Sequence, residues 1–256
     1  MNLEINNHLF IVGGATSGFG KAIAQALLNE GAQVIVVARG EDKLRELYSG
    51  HENVELLSGD ITDYGTIDQL EYMVGERQLH GMVVNAGGPP AKMVLETTLQ
   101  DWDDAYQKIL RWKVAITQTF VPKMMKAGYG RIVYIESSSV KQPIENLVLS
   151  NSLRLAVVGL VKTLSQEIAR SGVTLNIIGP GSHNTPAIDR LYIKKAEQTG
   201  LAFEEVKKNA VNLIPVGKLG KAEDFASLAL WLLSPHSRYV TGQTMIADGG
   251  MVKATL

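Results

Sequence analysis

Short apolar, β-branched runs alternate with stretches of helical period along the whole chain. The runs at 8–13, 33–38, 54–58, 81–85, 130–136, 173–178 and 243–247 predict strands. Most are apolar on both faces, as in Gln33-Val34-Ile35-Val36-Val37-Ala38, which suits parallel strands covered by helices on either side. Helical periodicity falls at 18–30, 41–48, 64–76, 99–127, 150–171, 204–212 and 222–233. Strand–helix alternation of this kind implies an α/β fold. We expect a Rossmann-like, doubly wound, seven-stranded parallel sheet with right-handed crossovers and helices on both faces. No repeat, low-complexity stretch or linker divides the 256 residues, so 1–256 reads as one dinucleotide-binding domain. The apolar faces of 99–127 (Trp102, Ile109, Trp112, Ile116, Phe120) and 150–171 (Leu153, Val157, Leu160, Val161, Leu164, Ile168) fit two roles equally. They cover the sheet, or they pair across a dimer axis.

The first strand runs into Gly13-Gly14-Ala15-Thr16-Ser17-Gly18-Phe19-Gly20, and a helix follows at once. Strand, glycine turn and helix in that order form a pyrophosphate cradle. The glycines allow a tight turn and close approach, and the helix N-terminus presents free N–H donors and a favourable dipole. Gly14, Thr16, Ser17, Gly18, Phe19 and Gly20 are therefore cofactor-binding candidates.

Composition narrows the classes of function. The net charge of −1 gives no electrostatic case for nucleic acid or an anionic membrane as partner. There is no cysteine, which excludes disulfides, thiolate catalysis and cysteine metal sites, and no metal is expected. No apolar run approaches the roughly 18–20 residues that span a bilayer, and the N-terminus lacks a signal-peptide pattern. The expectation is a soluble cytoplasmic protein with a small-molecule substrate.

Ligands of doubly wound sheets bind beyond the carboxyl ends of the strands, and the remaining candidates cluster there. Arg39 ends the second strand, where an arginine accepts a 2′-phosphate and a carboxylate would take the ribose hydroxyl. It favours NADP(H), with NAD(H) left open because Glu41 and Asp42 follow. Asp60-Ile61 ends the third strand, placed to meet the adenine or to cap the next turn. Asn85-Ala86-Gly87 ends the fourth, where small residues pass close to a cofactor and Asn85 is placed to cross-link strand ends. Pro180-Gly181 with Thr185 ends the sixth, a rigid turn suited to a nicotinamide amide. The segment at about 186–212 is the expected substrate lid; its Arg190, Lys194 and Lys195 suit an anionic substrate or a solvated basic face.

Together these residues resemble the short-chain dehydrogenase/reductase family along nearly the whole chain. Gly13–Gly20 stands where the family has Thr-Gly-x-x-x-Gly-x-Gly, with Gly13 for Thr. Val84-Asn85-Ala86-Gly87 is similar to its Asn-Asn-Ala-Gly, and Asp60-Ile61, Pro180-Gly181, Ile214–Gly220 and Tyr239–Gln243 with Asp248-Gly249-Gly250 fall in matching order. The resemblance implies a homodimer or homotetramer. It also implies catalysis by Ser, Tyr and Lys, usually with an Asn. Aligned through Gly159 and Lys162, the Tyr position is Ser150 and the Lys position is Arg154, while Ser137 keeps the Ser position. The Asn position falls at about Ile109. The segment Asn85-Ala86-Gly87-Gly88-Pro89-Pro90, with Ser150-Asn151-Ser152-Leu153-Arg154 at the Tyr and Lys positions, resembles a divergent subgroup often labelled 3-oxoacyl-carrier-protein reductase.

Serine is a far weaker acid than tyrosine, and arginine cannot shuttle a proton. Ser137, Lys141, Ser150 and Arg154 are the catalytic candidates, and Arg154 is also placed to hold the cofactor ribose. Lys141 is expected to donate the proton or polarise the substrate oxygen; His183 and Tyr192 are other candidate donors. Three functions follow. The first is an NADP(H)-dependent oxidoreductase with atypical proton delivery, acting on a carbonyl or a conjugated enone. The second is a nucleotide-binding protein without redox activity, a sensor or inactive partner subunit. The third is a lyase or isomerase using the same cleft.

Overall fold

Successive side chains of a strand point to opposite faces of its sheet, so strands apolar throughout need cover on both sides. The computed structural model describes residues 2–255. Its strands are β1 (Leu9–Gly13), β2 (Gln33–Ala38), β3 (Val54–Ser58), β4 (Leu79–Val84), β5 (Gly130–Ile135), β6 (Val173–Pro180) and β7 (Thr244–Ala247). All pair in parallel, in the order β3-β2-β1-β4-β5-β6-β7. The helices among the described residues are α1 (Gly18–Asn29), α2 (Glu41–Tyr48), α3 (Tyr64–Val74), α4 (Leu99–Tyr106), α5 (Trp112–Ala127), α6 (Val148–Glu167), α7 (Pro186–Thr199), α8 (Phe203–Asn212) and α9 (Ala222–Leu233).

β1 shows how one strand supplies two cores. Leu9 and Ile11 join Leu70 of α3, Trp112 and Phe120 of α5 and Val161 of α6. Phe10 and Val12 join Ile23 and Leu27 of α1, Tyr48 of α2 and Phe225 of α9. Each such fully buried side chain contributes about 1.5–3 kcal/mol. The strand order reverses between β1 and β4, which opens a crevice at their carboxyl ends.

Three elements differ from the pattern reading. The span 99–127 is two helices joined by a π turn at Gln107–Arg111; single π turns of this kind accompany functional sites. Helix 150–171 begins at Val148 and ends at Glu167, with a 3₁₀ turn at Ala169–Ser171. The lid segment holds two helices, where periodicity marked only 204–212. α7 escaped because it packs on α8, with Tyr192 edge-on to Phe203 at 6.4 Å between centroids, and not on the sheet. Trp112, Ile116 and Phe120 of α5 and Val157 and Val161 of α6 cover the sheet, while Leu160 of α6 stays half-buried. α6 is long and apolar enough by composition to cross a membrane, yet Val157 and Val161 fix it in the core.

Candidate active site

A cavity of about 1000 Å³ runs along the carboxyl ends of β1 to β6, at the upper end of the range for ligand sites. Its first wall is the β1–α1 loop, with Gly14, Thr16, Ser17 and Phe19 lining it. Gly14 has φ +65°, and a Cβ there would lie 2.7 Å from Asn85 Nδ2. Gly20 lies in the first turn of α1, where a Cβ would fall 2.4 Å from the Gly14 carbonyl oxygen. Gly18 opens the helix. Gly18 and Gly20 shape the loop and do not line the cavity. The Tyr48 hydroxyl donates to Ala15 O at 2.6 Å and pins the loop from α2. Asn85 Nδ2 donates to Gly13 O at 3.1 Å, the expected cross-link between strand ends.

These features fit a dinucleotide. Ser17 makes no capping hydrogen bond to α1, and no acidic residue lies in the first turn, so the helix N-terminus faces the cavity uncompensated. Arg39 lines the cavity at the end of β2. Glu41 is turned to Arg45, 2.6 Å away along α2, and forms no ion pair with Arg39. Asp60 Oδ1 accepts from Thr62 N at 3.0 Å and Thr62 Oγ1 at 2.9 Å, so this carboxylate organises its own turn while also lining the cavity beside Ile61. Ala86, Gly87, Pro180, Gly181 and Thr185 complete this wall.

The floor of the other half is charged. Glu136, at the end of β5, is 4% exposed. One oxygen accepts from Lys113 Nζ of α5, and the other accepts from Arg154 Nη1 of α6 at 3.0 Å. Arg154 Nε donates to Ser150 Oγ at 2.9 Å, one helical turn away. Glu136, Ser137, Ser150 and Arg154 all line the cavity, with Lys113 beneath them. Burial holds the Lys113 ammonium below the ordinary lysine range, against the pull of Glu136; Arg154 adds to the lowering. Two cations share one carboxylate here, so the floor carries a net positive charge. Ser137 Oγ accepts from Ser139 N at 3.1 Å, which leaves its hydroxyl proton free.

The sequence candidates divide accordingly. Ser137, Ser150 and Arg154 come together. Lys141 does not: it ends the 3₁₀ turn Ser138–Val140, which carries it away from the cavity, and its side chain is exposed. His183 lines the cavity, but its ring is wedged edge-on to Phe19 and Phe225, and Nδ1 donates to Gly181 O at 3.1 Å. Tyr192 faces α8 and lies outside the cavity lining. Lys113 and Glu136 are functional candidates that sequence reasoning missed. Their signals were a lysine inside the apolar stretch Trp112–Ile116 and a carboxylate closing the strand run Ile132–Ile135. Lys108 of the π turn and Arg190 and Lys194 of α7 also line the cavity. Lys194 Nζ donates to Ala91 O at 2.8 Å, which ties the lid helix to the loop after β4.

Comparison with known proteins accords with this geometry. Residues 14–252 match the family model described as enoyl-(acyl carrier protein) reductase. A dehydrogenase/reductase SDR family member 6 of Xenopus laevis is 31% identical, over 96% of this chain and 98% of its own. The chain belongs to the short-chain dehydrogenase/reductase family of oxidoreductases. Among other members, a 3-oxoacyl-[acyl-carrier-protein] reductase of Thermotoga maritima is 30% identical over 98% of this chain and 100% of its own. The crystal structure of an actinorhodin polyketide ketoreductase variant with NADPH superposes with a TM-score of 0.91 at 29% identity, covering 96% of this chain and 98% of that one.

Proposed function

We propose that this protein is an NADP(H)-dependent reductase of conjugated enones, with Arg154 and Ser150 stabilising the substrate oxygen. The observation that carries this reading is the Arg154 guanidinium, held at the cavity floor by Glu136 and Ser150. Its Nη2 has no hydrogen-bond partner among the described residues and lies beside the Gly88 turn. The β1–α1 loop and the α1 N-terminus would hold the pyrophosphate. Arg39 would take the 2′-phosphate, and Asn85–Gly87 with Pro180–Thr185 would flank the nicotinamide.

When bound, NADPH supplies a hydride, two electrons with one hydrogen nucleus. In an enone the β-carbon receives it, and negative charge gathers on the conjugated oxygen. Arg154 and the Ser150 hydroxyl supply donors for that oxygen before the charge forms, and preorganised donors of this kind lower the barrier most. A simple ketone instead needs a proton delivered to its oxygen as the hydride arrives. Ser150 and Arg154 serve that step poorly, because neither is an adequate acid near neutral pH. The proton that completes enone reduction comes from water at the open mouth and goes to the α-carbon or the enolate oxygen. The products are a saturated ketone and NADP⁺.

The test is NADPH consumption with matched enone and ketone substrates. The enone is consumed and the ketone is not. Arg154→Ala lowers kcat about 100-fold, a loss that saturating NADPH does not restore. NADPH binding without consumption across both series would instead support a nucleotide-binding protein without redox activity.

A further inference from the structure

Seven charged side chains line the cavity: Arg39, Lys108, Arg154, Arg190, Lys194, Asp60 and Glu136. The two carboxylates leave the cations of the mouth unanswered. Asp60 lies at the end of β3 with its Oδ1 engaged by Thr62, and Glu136 is shared by Lys113 and Arg154. Lys108, Arg190 and Lys194 form no ion pair among the described residues. They come from two separate elements, the π turn and α7, yet line one space. Like charges gathered around a cavity repel one another, and low-dielectric walls strengthen the field they project into it. Leu147, Ile188 and Leu191 line the same region and give it an apolar side.

We infer that the substrate carries a carboxylate, separated by a short apolar spacer from its reacting double bond. Arg190 and Lys194 hold the carboxylate at the mouth, with Lys108 adding to the field, while the enone reaches the floor at Ser150 and Arg154. Arg190 supplies the planar fork that matches a carboxylate, and Lys194 a point charge already oriented by the Ala91 carbonyl. Lys195, the next residue on α7, lies outside the cavity lining. This inference deepens the enone-reductase reading and rests on it for the position of the reacting carbon. The carboxylate site itself is tested by binding alone.

The experiment measures calorimetric binding of 6-oxoheptanoate and its methyl ester to the NADPH-loaded protein at low salt. Turnover of the matching unsaturated acid, (E)-6-oxohept-4-enoate, is followed separately. The acid should bind at least about tenfold more tightly than the ester, a difference of ~1.4 kcal/mol. Raising the salt should narrow that gap. Arg190→Ala with Lys194→Ala should abolish the acid's advantage and leave the affinity for NADPH unchanged. Lys195→Ala should change neither. Equal affinity for acid and ester would overturn the inference. So would a double variant that loses NADPH as strongly as it loses the acid, since the two cations would then serve the cofactor. Tight acid binding without turnover of the unsaturated acid would leave the carboxylate site standing and contradict the reductase reading.

Discussion

Glu136 is the hinge of the site at the scale of single residues. It has one charge, two cationic partners and almost no exposure. Removing the charge strands the buried Lys113 and the part-buried Arg154, and breaking a buried pair from one side costs about 3–5 kcal/mol. We therefore expect Glu136→Gln to lower stability by about 3 kcal/mol, measured by urea unfolding. Lys113→Met in the same background should recover part of that loss, because one stranded cation is gone. The proposed role of Arg39 concerns a separate property, the choice of nucleotide. Arg39→Ser should weaken NADPH binding about tenfold, ~1.4 kcal/mol, and leave NADH binding unchanged, as read by quenching titrations with each nucleotide. Ser137, Ser150 and Arg154 were legible in the sequence because family spacing fixes their positions, and Ser150 and Arg154 share one helical face. The Lys113–Glu136 pair was not. Its members are 23 residues apart on α5 and β5, and only packing of that helix on the sheet joins them. Lys141 misled for the opposite reason: closeness to Ser137 in sequence did not survive one 3₁₀ turn.

At the scale of elements, the β1–α1 loop leaves no room at Gly20. A methyl group there would meet the carbonyl oxygens of Gly14 and Gly13 at 2.4 and 2.6 Å. Both obstacles are backbone, so neither can rotate aside. Gly20→Ala should lift α1 from the loop and abolish measurable NADPH binding, while far-UV dichroism keeps its α/β form. The amino-terminal end of the central strands β1 and β4 carries a different device. His8 and His80 stack at 4.0 Å between ring centroids, next to Tyr129 and Arg131. Leu9 N donates to His80 Nδ1 at 3.0 Å, which fixes that nitrogen as an unprotonated acceptor. Burial, helped by His8, pushes His80 down to about 4 from an ordinary value of 6.5. The unfolded chain therefore takes up this proton near 6.5 and the folded chain only near 4. The resulting stability is fully present above 6.5 and is lost as pH falls between those values. The melting temperature should drop over that interval, and His80→Asn, which keeps an acceptor for Leu9 N, should flatten the drop.

For the whole molecule, the order of strands and helices was readable because each strand is apolar on both faces and each main helix has one apolar stripe. The lid was readable only as a segment. Ile188, Leu191 and Ile193 of α7 make no stripe aimed at the sheet, and α7 and α8 settle against each other. Cofactor cradle, charged floor and cationic mouth meet in one cavity because the strand order reverses between β1 and β4. In the proposed reading, that arrangement would put hydride delivery and the Arg154 donor on the same substrate. The most direct measurement of their cooperation is the fate of the hydride itself. NADPH carrying deuterium at the transferred position is mixed with a simple enone and the protein, and the product is read by NMR. Deuterium on the β-carbon of a saturated ketone is the predicted result. Deuterium on the carbonyl carbon of an allylic alcohol, or NADPH bound and unconsumed, would contradict it.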